Sequence, residues 1–405
     1  MKIALLVPTL EAGGMERVAI RMADLLSGQH EVFIVLFSIE STGYECTHRI
    51  VDLGVRSSGG HSVWAFVRRV MNTLRRIHRL GRALRANEAD VCFSFGSAAN
   101  IVNLLATGRH RRIVSLRGYG SIIQPSCLVD RVFRIPVARA IYSMAHAIVC
   151  VSRRMQLDFI QNYRIRAEKV HVLNNGFDIA QIRDLSRQPC PPAFDETSVQ
   201  KDVVIAVGNL RPPKGYWHLI RSFSWVVGQN ERAHLVILGA DQSGHKEKLE
   251  RLVDLLHIGD SVTLMGFDEN PFKYIRRSRV YVLSSIMEGF PNALVEAMIC
   301  GAPVIASDCR TGPREILTGD CIDRNQLGIE YAPYGILVPA QEPEEIFDDR
   351  PLLHSEMMMA LAIDELLRND DKRKHYSMQA MKRGEAFGYS GWRSALSSLL
   401  QDDAD

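Results

Sequence analysis

The sequence lacks the long apolar runs and the compositional biases that mark membrane-spanning and disordered chains. Its 405 residues are 46% apolar, 23% charged and only 7% aromatic, which is ordinary for a folded globular protein. The longest mostly apolar run, residues 140–151, includes Ser143 and His146, whereas a spanning helix needs roughly 20 apolar residues. We therefore expect no transmembrane segment, and we interpret residues 3–7, followed by Pro8, as a first strand rather than a signal peptide.

Cysteine and histidine occur without the spacings that bind metals. The eight cysteines contain no C-x-x-C pair, and the thirteen histidines contain no H-E-x-x-H pattern. Several cysteines, such as Cys150, lie inside apolar, strand-like segments, which is typical of reduced, buried thiols in the cytosol. We therefore predict a cytoplasmic protein with no bound metal and no cofactor.

Acidic residues are scarce in the first half of the chain. Residues 1–190 contain 26 Lys and Arg against 14 Asp and Glu, whereas residues 191–405 contain 23 against 32. This asymmetry favours an anionic partner for the first half, either a membrane surface, a nucleic acid or a phosphorylated ligand. Nucleic acid is disfavoured, because few aromatic residues are interleaved with the arginines and the second half is acidic.

Much of the basic excess lies in residues 63–85, where seven arginines occur with no acidic residue. Apolar residues recur there at helical spacing, which predicts a basic amphipathic helix with one apolar stripe opposite the arginines. The predicted stripe comprises Phe66, Val67, Val70, Leu74, Ile77 and Leu84. Two interpretations stay open: a surface helix packed on its own domain, or a helix that contacts an anionic membrane.

Short β-branched runs alternate with helical patterns along the chain, which predicts parallel sheets covered by helices on both faces. Three prolines between residues 188 and 201 indicate an exposed linker. We expect an α/β protein of two doubly wound, Rossmann-like domains: residues 1–190, joined by a C-terminal helix at 388–402, a linker at 191–201, and residues 202–387. Ligands bind outside the carboxyl ends of strands in such sheets, so the two domains should face a common cleft.

Residues 284–300 are predicted to run from a strand end through a turn into a helix. The turn contains Gly289 and Pro291, and the first amides of the helix, with its dipole behind them, are expected to bind an anion. These amides are those of Asn292, Ala293 and Leu294.

Charged side chains flank this predicted anion site. Glu288 and Glu296 are candidates to accept hydrogen bonds from sugar hydroxyls. The alternatives are complementation of the helix dipole by Glu288 and a solvated helix face for Glu296. Arg211 and Lys214 lie on a proline-stiffened loop after an earlier strand, which suits a diphosphate, although an exposed loop with incidental charge stays an alternative.

Four landmarks occur in an order that resembles the retaining glycosyltransferases of family 4. They are the GGMER segment at 13–17, the VLNNGFD segment at 172–178, the G-x-L-x-x-x-K-G segment at 208–215, and the E-x7-E pattern from Glu288 to Glu296. The resemblance implies the GT-B arrangement of two Rossmann-like domains. It also implies a nucleotide-sugar donor held mainly by the C-terminal half, an acceptor site in the N-terminal half, and no required metal.

The resemblance also implies roles for individual residues. Glu296 would hold the ribose hydroxyls of the nucleotide, and Glu288 would contact the donor sugar. Arg211 and Lys214 would neutralise the departing diphosphate, so these two and Glu288 are the predicted catalytic residues. Further donor contacts are expected from Gly14, from the base-pocket residues Met265, Gly266 and Phe267, and from Gly289, Phe290, Pro291, Asn292, Ala293 and Leu294.

The chain departs from the family pattern at two positions. Asn209 stands where the family usually has arginine, and Arg211 is expected to supply the missing phosphate charge. Arg117 follows a strand where the family has a histidine near the donor sugar. Arg117 is a candidate contact to the donor sugar or to an acceptor phosphate, and its role stays open.

These features together predict a retaining transferase that moves a hexose or an N-acetylhexosamine, with a UDP-sugar as the expected donor. Segments 284–298 and 307–317 look most similar to enzymes that extend lipid-linked oligosaccharides, and an acceptor on the inner membrane surface fits the basic first half. Positive groups at the leaving diphosphate would stabilise the transition state, and front-face attack fits the lack of an obvious nucleophile. The alternatives are a UDP-sugar epimerase of the same architecture and a catalytically silent membrane-associated subunit.

Overall fold

The computed structural model describes residues 1–10, 14–39, 46–56, 62–118, 134–241, 244–322 and 327–401. The chain divides into two compact units, one of Met1–Asn175 with Trp392–Asp405 and one of Gly176–Gly391. Every helix in the described ranges is too short or too polar to span a lipid bilayer.

The N-terminal unit is built on a parallel seven-stranded sheet in the order β3-β2-β1-β4-β5-β6-β7. From β1 the chain winds outward through β2 and β3 and then crosses to β4 on the other side of β1. This reversal opens a crevice at the carboxyl ends of β1 and β4. The strands are β1 (Lys2–Val7), β2 (Glu31–Leu36), β3 (Arg49–Asp52), β4 (Val91–Phe95), β5 (Arg111–Leu116), β6 (Ala147–Cys150) and β7 (Val170–Val172). The helices are α1 (Gly14–Leu26), α2 (Val63–Ala86), α3 (Ser97–Leu105), α4 (Ile135–Ser143) and α5 (Arg153–Tyr163).

Continuous apolar strands explain this sheet, because a parallel strand is buried on both faces. Residues 3–7 of β1 and 91–95 of β4 are buried throughout. One apolar core lies between the sheet and α2 and α3, and it includes Phe33, Leu80 and Val102. The predicted first strand and the predicted α/β class are confirmed.

The C-terminal unit repeats the same winding, with a sheet in the order β10-β9-β8-β11-β12-β14-β13. All pairs are parallel except β13 with β14. The strands are β8 (Asp202–Val207), β9 (Ala233–Leu238), β10 (Val262–Gly266), β11 (Val280–Leu283), β12 (Val304–Ser307), β13 (Glu330–Ala332) and β14 (Gly335–Val338). The helices are α6 (Ile179–Ser186), α7 (Pro192–Gln200), α8 (Tyr216–Gln229), α9 (His245–Leu255), α10 (Phe272–Arg277), α11 (Asn292–Ile299), α12 (Pro313–Thr318), α13 (His354–Arg368) and α14 (Asp370–Glu385). The last helix, α15 (Tyr389–Gln401), belongs to the N-terminal unit from Trp392 onward.

The predicted linker at 191–201 is wrong. Residues 192–200 form α7, and the boundary between the compact units falls after Asn175 rather than after residue 190. A proline fits the first turn of this helix. The side chain of Phe194, only 4% exposed, packs edge-on against Tyr274, with 4.8 Å between the ring centroids, and this contact stabilises the helix. The second unit therefore covers 176–391 rather than 202–387, and from Trp392 onward the chain belongs to the first unit.

The predicted apolar stripe of α2 does not form one face against the domain. Leu84 is buried, but Phe66 and Leu74 are each 61% exposed. The polar residues Asn72 and Arg76 face inward instead, because both donate hydrogen bonds to backbone carbonyls of residues 55 and 56. Helical periodicity thus predicted the helix correctly, and of the two open interpretations the structure contradicts the one in which the whole stripe packs on its own domain.

Seven cysteines fall in the described ranges, and all are free thiols. Five of them are buried, including Cys92 on β4 and Cys150 on β6. This agrees with the buried thiols expected from the sequence.

Candidate donor site

The candidate site of the C-terminal unit lies where β8 and β11 end side by side. These strands are paired in the sheet, and β8 and β11 lead into the loops 208–215 and 284–291. The backbone N–H of Ile286 donates to the Pro213 carbonyl at 2.9 Å, and the Ser284 hydroxyl donates to the Lys214 carbonyl at 2.8 Å. The two loops therefore form one hydrogen-bonded unit.

Gly215 makes this close approach of the loops possible. Its φ is +60°, and a Cβ there would lie 2.5 Å from the backbone oxygen of Ser284. A side chain would therefore force the loops apart, and glycine is the residue that adopts this left-handed conformation without strain.

Lys214 and Glu288 form an ion pair across the two loops. Lys214 Nζ lies 2.7 Å from Glu288 Oε1, and the side chains are only 25% and 12% exposed. The Ser285 hydroxyl donates to the same carboxylate oxygen at 2.7 Å. The Thr311 hydroxyl, on the loop after β12, donates to the Glu288 carbonyl and so fixes its backbone. The site thus holds a positive charge and a carboxylate in defined positions at a strand edge.

The helix that follows is α11, which begins directly after Pro291. Asn292 and Ala293 are half-buried at its start. The expectation of three available amides is wrong for Leu294, whose N–H donates to the Pro291 carbonyl at 3.1 Å. The first turn is tightened, so this donor is already used within the helix.

Gly289, Phe290 and Pro291 form the buried end of the loop before α11. Gly312, after β12, packs against them, and a Cβ there would lie 2.5 Å from Pro291 Cδ. The close packing fixes the position at which α11 begins.

Glu296 is buried inside α11, with 5% exposure. The interpretation of Glu296 as part of a solvated helix face is therefore wrong. Burial raises the pKa of the Tyr281 hydroxyl well above its usual range, and the charges of Tyr216, Glu288 and Glu296 add to that rise. Both glutamates of the E-x7-E pattern therefore lie within electrostatic reach of one buried tyrosine.

The other predicted donor residues of this unit lie at the same edge of the sheet. Arg211 is exposed on the loop that carries Lys214. Met265 and Gly266 end β10, and Phe267 follows with 53% of its surface exposed. The Gly239 N–H donates to the Gly266 carbonyl at 2.7 Å, which joins the ends of β9 and β10.

In the N-terminal unit, Gly14 begins α1 after β1, and the adjacent Gly13 lies outside the described residues. Arg117 follows β5, and its Nη1 donates to Asn175 Oδ1. Its guanidinium lies 4.9 Å from the ring centroid of Phe95. The Nε and Nη2 atoms are buried and have no hydrogen-bond partner among the described residues, and burial lowers the pKa of Arg117 to about 9.

Two residues that position Glu288 have no recognisable signal in the sequence. Ser285 and Thr311 belong to no spaced motif, and their role follows only from their hydrogen bonds to Glu288. Among the residues in the described ranges, no group of three or more His, Cys, Asp or Glu is placed to hold a metal ion. That no metal is required stays a prediction.

Two doubly wound α/β units with a charged strand edge define the class of the protein as Rossmann-like, with the domain construction of GT-B enzymes. Residues 12–181 match the family described as Glycosyltransferase Family 4, and residues 193–322 match the family described as Glycosyl transferases group 1. The chain belongs to these glycosyltransferases and is a transferase.

Individual relatives agree with this assignment. An uncharacterized glycosyltransferase of Methanocaldococcus jannaschii is 32% identical over 250 residues, and the alignment covers 61% of each chain. The N-acetylgalactosamine-N,N'-diacetylbacillosaminyl-diphospho-undecaprenol 4-alpha-N-acetylgalactosaminyltransferase of Campylobacter jejuni is 24% identical over 95% of both chains. The structure of Anabaena HepE in complex with UDP has a TM-score of 0.73 at 18% identity, covering 99% of this chain and 100% of that one.

Proposed function

We propose that the protein is a retaining glycosyltransferase that moves a hexose or N-acetylhexosamine from a UDP-sugar to a lipid-linked glycan. The observation that carries this proposal is the half-buried Lys214, held beside Glu288 at the strand edge where an α/β sheet binds its ligand. The UDP bound to HepE supports the donor, and the diphospho-undecaprenol named for the Campylobacter relative supports the acceptor.

Lys214 and Arg211 bind the diphosphate in this proposal and stabilise it as it leaves. Negative charge develops on the leaving oxygen in the transition state, so a fixed ammonium there lowers the barrier without a metal. Glu288 contacts the donor sugar, and Glu296 holds the ribose. Met265, Gly266 and Phe267 line the base pocket.

Front-face attack is the proposed route to retention. The acceptor hydroxyl attacks the anomeric carbon while the sugar–phosphate bond breaks, and the departing phosphate oxygen takes the hydroxyl proton. In this route Glu288 contacts the donor sugar and forms no covalent bond to it, and Lys214 and Ser285 fix its Oε1 atom.

The N-terminal unit binds the acceptor in this proposal, on the inner face of the membrane. Arg117 contacts an anionic group of the substrates, because two of its nitrogens have no acceptor in the part of the chain that the structure describes and a buried cation is stabilised by a paired anion. Gly14 begins α1 at a strand end, where backbone can approach the donor phosphates.

Thermal unfolding with candidate donors tests this proposal. UDP and a UDP-sugar should raise the unfolding temperature, by mass action, more than GDP-mannose at the same concentration. Lys214→Ala should remove most of that rise. A preference for GDP-mannose would contradict the UDP donor, and no response to any nucleotide sugar would contradict the transferase proposal. Epimerisation of the UDP-sugar without an acceptor would indicate the epimerase instead.

A further inference from the structure

Helix α2 has an orientation that its sequence pattern does not predict. It begins after Ser62, whose side chain accepts the Ala65 N–H at 3.1 Å, and Leu80 and Leu84 anchor its second half in the core. Near the middle, Arg76 is 9% exposed, donates to the Val55 carbonyl at 3.0 Å and stacks 4.2 Å from the ring of Phe37. These contacts fix which side of the helix faces the domain.

The opposite side of the first three turns is apolar and exposed to solvent. The side chains, here called the apolar face of α2, are Trp64 (76% exposed), Phe66 (61%), Val67 (40%), Val70 (45%), Met71 (48%) and Leu74 (61%). Single exposed apolar residues are ordinary on protein surfaces, but a contiguous set marks an interaction surface.

Exposed arginines border this apolar face. Arg68, Arg69 and Arg75 are exposed on the same three turns, and α2 contains no acidic residue. A second copy of the chain that docked through this face would bring two arginine-rich helices together without neutralising charge. An anionic lipid surface instead supplies acyl chains for the apolar side chains and phosphates for the guanidinium groups.

We propose that the apolar face of α2 inserts into the headgroup region of an anionic membrane, with Trp64 and Phe66 among the inserted side chains. The inference rests on the proposed function in one respect: a lipid-linked acceptor would be presented at the same surface. It goes further in naming the face that inserts and in requiring apolar insertion, not charge attraction alone.

Vesicle binding by the full-length chain tests the proposal without donor or acceptor. With vesicles of phosphatidylcholine and phosphatidylglycerol, Phe66→Ser, Val70→Ser and Leu74→Ser in one chain should lower partitioning by roughly a hundredfold, since each loses apolar burial. Val199→Ser, which replaces a still more exposed valine (79%, against 45% for Val70) in the other unit, is the control and should bind as the wild type. Brominated lipid should quench wild-type tryptophan emission but not that of Trp64→Phe.

The charged residues need a separate variant. Arg68→Gln, Arg69→Gln and Arg75→Gln should remove the preference for anionic over zwitterionic vesicles. Arg76 and Arg79 are unsuitable probes, because they hold the carbonyls of Val55 and Leu53. Equal vesicle binding by the triple serine variant would overturn the proposal. So would a wild-type dimer that dissociates in that variant. UDP-induced thermal stabilisation, measured on the same variants, reports separately on the proposed function.

Discussion

Replacing Lys214 by alanine should reduce turnover by about a hundredfold or more while leaving the protein folded. The Lys214 side chain is three-quarters buried and lies 2.7 Å from Glu288 Oε1, so its charge is poorly screened. Two unit charges about 4 Å apart at an effective dielectric near 20 interact by about 4 kcal/mol. Losing a preorganised group at a developing negative charge costs about 2.7–4 kcal/mol, or a factor of 10²–10³ in kcat.

The substitution leaves the mostly buried Glu288 carboxylate without its cation, which should lower stability by up to about 3–5 kcal/mol, so turnover is measured well below the unfolding temperature of the variant. Initial rates of UDP release at saturating acceptor measure the effect, and thermal unfolding verifies the fold. Lys246→Ala is the control, since Lys246 pairs with Glu250 on the exposed surface of α9 at 3.4 Å. Turnover within threefold of the wild type in Lys214→Ala would refute the assignment of Lys214 as the leaving-group stabiliser.

Glu288→Gln should separate binding from catalysis at the same ion pair. Without the carboxylate, Lys214 is free to contact a diphosphate, so UDP should bind about tenfold more tightly, the equivalent of about 1.4 kcal/mol. Transfer should nevertheless fall, because the proposed sugar contact is lost. Calorimetric titration with UDP and the rate assay give the two readouts, and weaker UDP binding would contradict the inferred competition.

Four further substitutions test other parts of the structure. Gly312→Ala should destabilise the protein by about 1–3 kcal/mol, because Gly312 has φ +98° and no room for a Cβ. Gly228→Ala, in open space on α8, should stabilise it by about 0.5–1 kcal/mol. Urea unfolding measures both, and equal effects would contradict the packing described. Burial and the charges of Arg112 and His146 lower the pKa of His110 to about 4 in the folded protein. As the pH falls, His110 therefore binds a proton in the unfolded chain before it does so in the folded protein. Stability should therefore fall by up to about 3 kcal/mol as the pH drops from about 6.5 to 4, and His110→Gln should remove this slope. Arg117→Gln should raise the KM for the acceptor about tenfold with UDP affinity unchanged. An unaltered KM would exclude an acceptor contact.

The architecture could be predicted from the sequence because its signals are local. A β-branched run such as 203–207 is too apolar to be exposed on either face, and helical patterns between such runs leave only a parallel, doubly wound sheet. The placement of Gly215, Lys214 and Glu288 in loops at strand ends also follows from the sequence, because each motif directly follows a predicted strand.

The domain boundary could not be read in the same way. Considered alone, the prolines between residues 189 and 192 indicate an exposed linker, but Pro192 is equally suited to the first turn of a helix. The choice depends on Tyr274, about 80 residues away, which gives Phe194 a ring to pack against.

The sequence by itself determined the fold class, the helix at 63–85 and the residues gathered at the second sheet edge, because periodicity and glycine placement depend on the local backbone. Only the tertiary structure decided that Lys214 pairs with Glu288 and that α2 turns its apolar face outward. Each of these depends on which distant atom completes a hydrogen bond or an ion pair. In α2, Arg76 and Asn72 donate hydrogen bonds to the carbonyls of residues 55 and 56, respectively. These bonds turn the opposite side of the helix, with Phe66 and Leu74, toward solvent.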